Sequence, residues 1–394
     1  MDEGVVSPGG VGYDINCGVR LLTTNYKLDK ILENRRELLA EMFKNIPTGV
    51  GREGITKLSR TDFDEILKTG AKWAVKNGYG TEEDLERTEE NGCANDAEIS
   101  TVSAKAISRG LGQLGTLGSG NHFLEIQKVD QIYDKKVAEA FGIKEVGQVT
   151  IMIHCGSRGL GHQVASDYIQ LMENKYGFEH LPDRELACAP IKSDLGQKYY
   201  KAMCFAMNFA FANRQMIAHW VRESCRKVLG DGEIRQVYDV CHNIAKFEKH
   251  NIDGKMKTVC IHRKGATRSF GPGREEIPEV YRKVGQPVII PRSMGTASYL
   301  LVGTSKAEEV SFGSTAHGAG RVMSRHGALK EITGQQVQKN LEDKNILVKG
   351  TSWKGLAEET PEAYKDIDEV IRISDEVGIG KKVARLIPLA VMKG

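Results

Sequence analysis

Glycine clusters in five short segments of this 394-residue chain, and these segments limit its possible folds more than any other feature. They are GVVSPGGVGYDINCGVR (4–20), GLGQLGTLGSGNHF (110–123), HCGSRGLGH (154–162), GATRSFGPG (265–273) and FGSTAHGAGR (312–321). Glycine tolerates positive φ angles and lets the backbone approach a ligand closely. Each segment carries a histidine or cysteine or leads out of one. Because the segments are spread from residue 4 to residue 321, they must fold onto one another to form a common site, which predicts one interwoven domain.

Between these segments the hydrophobic pattern alternates between strand and helix. Short apolar runs typical of buried strands are QVTIMIH (148–154), VYDVCHN (237–243), KTVCIHRK (257–264), PVIIPRS (287–293) and SYLLVG (298–303). Helical periodicity is strong at 28–46, and from Ser193 through 198–229 it predicts a long helix that packs on more than one side. We therefore predict a mixed α/β (α+β) fold over residues 1–394, with central sheets and a long helical excursion.

The composition places the chain among globular proteins. Hydrophobic residues make up 40% and the mean hydropathy is −0.36, which is enough apolar material for a core and excludes a disordered chain. No apolar run could span a bilayer and no charged-then-apolar leader opens the sequence, so we expect a cytoplasmic protein. The eight cysteines are scattered without a CxxC pair, which indicates reduced thiols and no disulfide framework.

The net charge of +3 is too small to indicate a nucleic-acid partner by itself. One stretch is more basic, because the segment from Lys246 to Arg292 contains eleven Lys and Arg against five Asp and Glu. An acidic stretch, TEEDLERTEE, begins at Thr81. The basic stretch could form an ordinary face of a globular enzyme or a surface that meets polyanions.

Five possible metal ligands lie in the glycine-rich segments or at strand ends: Asp14, Cys17, His122, His154 and His242. One carboxylate, one thiolate and three imidazoles suit a borderline divalent ion such as Zn²⁺, Mn²⁺, Fe²⁺ or Co²⁺. Five ligands exceed what one tetrahedral ion keeps and a thiolate can bridge, so a two-metal site is sterically sensible. Taken singly, each residue has a plainer interpretation: a hydrogen-bonded histidine, a turn-forming aspartate or a buried cysteine.

His317 lies in the segment STAHGAGRVMSR. Gly318 and Gly320 leave backbone amides free for phosphate, and Arg321 and Arg325 follow closely. A neutral imidazole in this setting could act as a nucleophile toward a nucleotide phosphate. The alternative is a loop histidine that precedes a helix.

These motifs together resemble the RtcB family of RNA ligases. The resemblance rests on GGVGYDINCGVR, LGTLGSGNHFLEIQ, HCGSRGLGH, CHN, HRKGATRSFGPG, SMGTASYLLVG, STAHGAGRVMSR and LIPLAVMKG, which occur in the family's order from residue 4 to residue 394. It implies a ligase that joins an RNA 2′,3′-cyclic phosphate or 3′-phosphate end to an RNA 5′-hydroxyl, using GTP and Mn²⁺. Family members carry a further segment before the metal loop, so the resemblance predicts an amino-terminally shortened RtcB-type domain.

The resemblance also implies roles for individual residues. Cys17 would bridge two Mn²⁺ ions, with Asp14 and His122 completing one site and His154 and His242 the other.

His317 would carry GMP as a phosphoramidate before the GMP passes to the RNA 3′-phosphate. Asn121, Phe123 and Glu125 would contact the nucleotide or the metal. The nucleotide pocket would further be lined by Asn243, Pro291, Arg292, Ser293, Met294, Ser298, Gly318, Ala319, Gly320 and Lys393. The arginines placed for nucleotide or RNA phosphates would be Arg158, Arg321 and Arg325.

The implied partners are GTP, broken tRNA halves or other cleaved RNA, and archease as an activator; we expect a monomer. Two other classes of function remain open at this point. A metal-dependent phosphoesterase would need the Asp/Cys/His cluster but not His317. A non-catalytic RNA-binding protein would need neither His317 nor a metal.

Overall fold

The computed structural model describes residues 4–179, 181–292 and 294–394. Ser293, one of the predicted nucleotide contacts, lies outside the described residues. The strands are β1 Val5–Val6, β2 Gly18–Thr24, β3 Phe123–Ile132, β4 Val149–Cys155, β5 Ala189–Pro190, β6 Ile234–Cys241, β7 Asn243–Ile252, β8 Lys255–Lys264, β9 Ala266–Arg268, β10 Pro287–Ile290, β11 Ser298–Val302, β12 Ser314–Ala316, β13 Leu347–Gly350 and β14 Lys381–Lys393.

The helices lie between these strands, singly or several in succession. They are α1 Pro8–Val11, α2 Leu28–Asn45, α3 Arg60–Thr69, α4 Ala71–Lys76, α5 Glu82–Glu86, α6 Ala104–Gly110, α7 Lys135–Ala140, α8 Arg158–Tyr176, α9 Asp194–Leu229, α10 Ser305–Ser311, α11 Arg325–Glu331, α12 Gly334–Asp343, α13 Trp353–Glu358 and α14 Ile367–Val377. None of the helices in the described residues is long and apolar enough to cross a membrane.

One large sheet forms the centre of the fold. Its order is β10-β11-β14-β3-β4-β2-β6, with antiparallel neighbours throughout, and β13 pairs parallel with β14. One face packs against α2 and α9, and the other is covered by α7 and the segment around residues 270–281. Because both faces are covered, β2 and β4 are buried along their whole length. The predicted mixed fold with a central sheet is confirmed.

The long helix α9 is the other main support of the core. Its 36 residues extend over about 54 Å. It begins after Ser193, whose side chain accepts a hydrogen bond from the Gly196 amide, and ends at Gly230 with φ 74°. The helix packs against α2, α3, α4 and α8 and against β4. This confirms the prediction of a helix packed on more than one side.

Residues 257–264 form a strand as predicted, but the prediction that this strand is buried is wrong. It is part of β8, which pairs with β7 in a two-stranded hairpin. The turn is formed by Asp253 and Gly254, both with positive φ, as a tight hairpin turn requires. Lys255, Met256 and Lys257 near the turn are exposed, because this part of the hairpin extends beyond the covered body of the protein.

Candidate metal centre and nucleotide pocket

Four strand ends meet at one edge of the large sheet. The beginning of β2 pairs with the ends of both β4 and β6, and the beginning of β3 pairs with the end of β4. Cys17 directly precedes β2, His122 precedes β3, His154 is the penultimate residue of β4, and His242 follows β6. Since antiparallel neighbours run in opposite directions, these starts and ends lie together, and with them four of the five predicted ligands.

The five predicted ligands form two groups that share one thiol. Asp14, Cys17 and His122 form one group, and Cys17, His154 and His242 form the other; within each group the ligand atoms lie within 4.8 Å of one another. The Cys17 Sγ atom is 3.5 Å from His122 Nε2 and 3.3 Å from His154 Nε2. The Nε2 atoms of His154 and His242 are 3.2 Å apart. The thiol therefore occupies the bridging position between two possible metal sites.

Asp14 and His122 form a hydrogen-bonded ion pair, with 2.6 Å between Asp14 Oδ2 and His122 Nε2. Although burial opposes it, the His122 ring holds the pKa of the Asp14 carboxyl well below its usual range. In spite of burial, the neighbouring Cys155 and Asp14 raise the pKa of His122 well above its ordinary value. A divalent cation bound here would take the place of the imidazole proton.

Burial determines the protonation of the other donors. It raises the pKa of the Cys17 thiol to about 12, with Asp14 adding to the effect. Burial lowers the pKa of His154 and of His242 well below the ordinary value, so both rings are neutral, as metal ligation requires. Their Nδ1 atoms are buried without a hydrogen-bond partner in the described part of the chain. This set of one oxygen, one sulfur and three nitrogen donors fits a pair of borderline divalent ions.

His317 lies beside this cluster, although it is far from the cluster in sequence. It follows β12, which pairs with β9, and its ring centroid is 4.6 Å from that of His242. Together with His154 it lines a small cavity of about 70 Å³. The predicted nucleotide contacts that line the same cavity are Asn121, Phe123, Pro291, Arg292, Gly318, Ala319 and Lys393. The structure thus brings most of the predicted nucleotide contacts together around His317.

Comparison with known proteins gives one consistent result. A family model described as "tRNA-splicing ligase RtcB" matches residues 1–394. Among the relatives with that name, the protein of Archaeoglobus fulgidus is 57% identical over 100% of this chain and 83% of its own length. Those of Methanococcus maripaludis and Nanoarchaeum equitans are 54% and 56% identical, with 99% and 100% of this chain and 82% and 83% of their own lengths covered.

This chain belongs to the RtcB family. The resemblance inferred from the sequence motifs is therefore confirmed. Within this RtcB protein, three further predicted contacts lie behind the cavity. Glu125 accepts a hydrogen bond at 3.3 Å from the Met294 amide, and the Ser298 hydroxyl accepts one at 2.9 Å from the Arg292 amide. These bonds support the loop that carries Pro291 and Arg292.

The last two predicted nucleotide contacts, Asn243 and Gly320, also lie outside the lining of the cavity. The Asn243 side chain donates to the Asp14 carbonyl at 3.1 Å, so it supports the metal loop. Gly320 lies beyond Ala319, and its carbonyl accepts from the Lys365 amide at 2.9 Å. In this RtcB protein both residues contact segments next to the pocket.

Glu359 and Tyr364 line the cavity and were missed from the sequence. The guanidinium groups of Arg292 and Arg321 each lie 4.8 Å from the centre of the Tyr364 ring, and the Tyr364 hydroxyl hydrogen-bonds Glu359. Glu359 also lies 3.2 Å from Arg325 Nε, 3.3 Å from Arg321 Nη1 and 4.0 Å from Lys393 Nζ. The surrounding sequence AEETPEAYKD contains no glycine, histidine or cysteine, so no motif marks it.

An open cleft of about 970 Å³ is lined by Asp14 and His122 of the candidate metal centre and shares Asn121 with the cavity around His317. Its charged lining consists of five Lys or Arg and two carboxylates besides the histidines: Arg52, Arg109, Arg158, Arg325, Lys354, Asp14 and Glu358. Arg158 and Arg325, both predicted to bind phosphate, are thus in the cleft. Arg321, predicted with them, is held by Glu359 and by the Glu358 carbonyl.

The basic stretch from Lys246 to Arg292 does not form a continuous basic face. Lys246, Arg263, Arg268 and Arg292 are all less than 8% exposed. Lys246 and Arg268 are paired with Glu89 of the acidic stretch, and Arg263 is paired with Glu248. Of the two possibilities left open for this stretch, a surface that meets polyanions is wrong for Lys246, Arg263 and Arg268, because their charges are compensated inside the protein.

Proposed function

We propose that this chain is an RNA ligase that joins an RNA 2′,3′-cyclic phosphate or 3′-phosphate end to an RNA 5′-hydroxyl end, as in tRNA splicing and RNA repair. It would use GTP and two Mn²⁺ ions, with His317 carrying GMP. The observation that carries the proposal is the 4.6 Å separation of the His317 and His242 rings, which sets a possible nucleophile beside the candidate metal centre. The names of the relatives, tRNA-splicing ligase, support the same reaction.

The reaction takes place in three successive nucleophilic substitutions at phosphorus. First, a ring nitrogen of His317 attacks the α-phosphorus of GTP; a P–N bond forms and the bond to the pyrophosphate oxygen breaks. Burial lowers the pKa of His317, so the ring is neutral and its lone pair is available. An oxygen of the RNA 3′-phosphate then attacks the same phosphorus, and the P–N bond breaks. Finally the 5′-hydroxyl attacks the RNA phosphorus, loses its proton and expels GMP.

The five clustered side chains would hold the metal ions during these transfers. When bound there, divalent ions stabilise charge on phosphoryl oxygens. A 2′,3′-cyclic end must first be opened by water to a 3′-phosphate, and metal ions held by the five clustered side chains would help to activate that water. Around the cavity, Arg292 and Lys393 offer positive charge to the nucleotide.

The cleft fits the RNA strands. It is open, basic and continuous with Asp14 and His122, so a strand lying in it would reach the candidate metal centre with its end. Phosphate contacts by Arg and Lys position a nucleic acid without reading its sequence, which suits an enzyme that joins ends. Activation by archease and a monomeric state stay predictions of the family resemblance.

A labelling experiment tests the proposal. The protein is incubated with Mn²⁺ and GTP labelled in its α-phosphate, then denatured and separated by electrophoresis. We expect label on the wild type that survives alkali and is lost in acid, no label on His317→Ala, and normal label on His219→Ala, a half-buried histidine of α9 that lines a different cavity.

The same preparations are then given RNA with a 3′-phosphate end and RNA with a 5′-hydroxyl end. Joined product that depends on His317 supports the ligase. Metal-dependent release of phosphate without any protein label would instead identify a phosphoesterase. RNA binding that is indifferent to both metal and His317→Ala would identify a non-catalytic RNA-binding protein.

A further inference from the structure

Helix α9 carries four fully buried polar side chains in an otherwise apolar stretch: Asn208, Asn213, Arg214 and Gln215. A buried polar group must find partners, because an unpaired one costs a large part of its desolvation free energy. Two of the four, Asn213 and Arg214, find theirs in the segments that carry the candidate metal ligands.

Asn213 holds the turn that precedes His122. Its Oδ1 accepts hydrogen bonds from the amides of Gly115 and Thr116 at 2.7 and 3.1 Å, and its Nδ2 donates to the Thr116 carbonyl at 3.1 Å. The next residue, Leu117, has its carbonyl oxygen 3.1 Å from His122 Nδ1. The amide of Asn213 therefore fixes the group that orients the His122 ring.

Asn213 also reaches the chain that follows His154. Its Nδ2 lies 3.1 Å from the Cys155 Sγ atom and 3.3 Å from the Gly156 carbonyl oxygen. One side chain thus joins the segment before His122 to the segment after His154.

Arg214 ties together the other ligand-bearing segments. Its Nη1 donates to the carbonyl of Asn16, directly before Cys17, at 2.7 Å, and to the carbonyl of Cys155 at 3.0 Å. Its Nη2 bonds Asp239 at 2.7 Å, on the strand that leads to His242. A planar guanidinium holds three such partners in a fixed geometry that an ammonium cannot reproduce.

In the described residues, no hydrogen bond to Nδ1 orients the rings of His154 and His242. In many metal sites the far nitrogen of a ligating histidine donates to a carboxylate or carbonyl, which sets the ring. Here the Nδ1 atoms of His154 and His242 have no such partner in the described part of the chain. The positions of these two rings therefore depend on where their backbones are anchored.

We propose that Asn213 and Arg214 are positioning residues that set the spacing of the donor atoms in the two-metal centre. The inference rests on the metal centre of the proposed function, and it requires neither GTP nor RNA. Partners behind metal ligands typically change metal affinity by about 10- to 100-fold when they are lost.

Asn208 provides a matched control in the same helix. It is as deeply buried as Asn213, and its amide also bonds backbone groups: it accepts from the Ala94 amide at 2.7 Å and donates to the Leu67 and Ala94 carbonyls, each at 3.0 Å. None of these segments carries a candidate ligand. A merely structural role would make Asn208→Ala and Asn213→Ala equivalent.

The test is titration of the metal-free protein with Co²⁺, followed by its d–d absorption and its thiolate-to-cobalt charge-transfer band. We expect Asn213→Ala and Arg214→Lys to weaken Co²⁺ binding about 10- to 100-fold and to change the d–d spectrum. We expect Asn208→Ala to keep the wild-type spectrum and affinity while losing stability to urea to a similar extent as Asn213→Ala. If Asn213→Ala does not fold, Asn213→Ser replaces it.

Three results would overturn the inference. Wild-type spectra and affinities in folded Asn213 and Arg214 variants would show that the spacing does not depend on α9. An equal change in Asn208→Ala would show that general loosening is responsible. If wild-type protein shows no thiolate-to-cobalt band, the metal centre itself is wrong, and with it the proposed function. This result therefore distinguishes failure of the proposed function from failure of the positioning role alone.

Discussion

At the scale of single residues, the Cys17 thiol is the atom on which the candidate centre depends most. It is the only donor common to both ligand groups in the described residues, and it lies 3.5 Å from His122 and 3.3 Å from His154. Asp14 and His242, in contrast, each belong to one group. Substitutions at these positions should therefore differ in how many ions they remove.

We predict that the number of bound metal ions separates these substitutions. After loading with Mn²⁺ and removal of free metal, wild-type protein should retain two ions, Asp14→Asn and His242→Ala one each, and Cys17→Ser none. Atomic emission measures the ratio, with Cys188→Ser, a half-buried cysteine in a loop, as the control. One retained ion in Cys17→Ser would show that the thiol does not bridge.

At the scale of elements, the turns that connect the strands determine which side chains face the metal centre. Gly118 is an example, because it has φ 88° and a Cβ there would lie 2.0 Å from the Arg158 guanidinium. Arg158 itself has a positive φ and reaches Thr116 with its Nε at 3.3 Å. The glycine thus leaves the space that Arg158 fills at the entrance to the cleft.

We predict that Gly118→Ala impairs RNA joining more than it impairs stability. The positive φ should cost about 1 kcal/mol of unfolding free energy, as at any such glycine. The matched control is Gly78→Ala, which has φ 83° and open space around its Cβ. Urea unfolding should show similar losses for the two variants, while only Gly118→Ala, by displacing Arg158, should lower the joining rate. Equal rates would show that the position of Arg158 is unimportant.

At the scale of the whole molecule, charges distant in the sequence neutralise one another inside the fold. Glu89 is 2% exposed and pairs with Lys246 Nζ at 2.7 Å and Arg268 Nε at 3.4 Å. In spite of burial, Lys246 and Arg268 lower the pKa of Glu89 to about 2, from 4.5. The folded protein therefore binds this proton less readily than the unfolded chain.

From this pKa shift we predict an acid-dependent loss of stability. The contribution of Glu89, about 3 kcal/mol, should be complete above pH 4.5 and lost as the pH falls from 4.5 to about 2. Urea unfolding of wild type and Glu89→Gln should thus differ by about that amount at pH 7 and converge in acid. Glu82→Gln, at an exposed position of α5, serves as the control. A difference that is constant with pH would contradict the assignment.

The cleft is also a property of the whole molecule, since its cations come from distant segments. We predict that Arg52→Ala and Arg109→Ala weaken RNA binding and reduce the slope of log affinity against log salt by about 1 for each lost phosphate contact. Labelling of His317 by GTP should be unchanged. Arg372→Ala, an exposed arginine of α14 paired with Glu369 and Glu376, should leave RNA binding unaltered. An equal loss in that variant would indicate nonspecific attraction only.

Much of the fold and of the candidate site could be predicted because the signals are local. The apolar runs of β4 and β11, the amphipathic pattern of α2 and the long apolar helix α9 all lie where their periodicity predicts them. The glycine-rich segments contain Asp14, Cys17, His122 and His154, and His242 lies at the end of a predicted strand, so local signals mark all five residues that the structure brings together. Each of these signals comes from residues that are close together in the sequence, so it can be recognised without knowledge of tertiary contacts.

Only the tertiary structure decided the remaining features. Glu359 and Tyr364 enter the pocket, Arg52 and Lys354 enter the cleft, and Asn213 reaches the turn before His122 through contacts between segments far apart in the chain. The same holds for Lys246 and Arg268. From the sequence their charges could lie on a surface that meets polyanions, but in the structure they are buried against Glu89. By itself, the sequence predicted elements with a strong local pattern, such as β4, β11, α2 and α9, and the chemistry of the glycine-rich segments. Which charges meet water, which meet each other and which face a ligand depends on packing, because burial and pairing are properties of the folded chain.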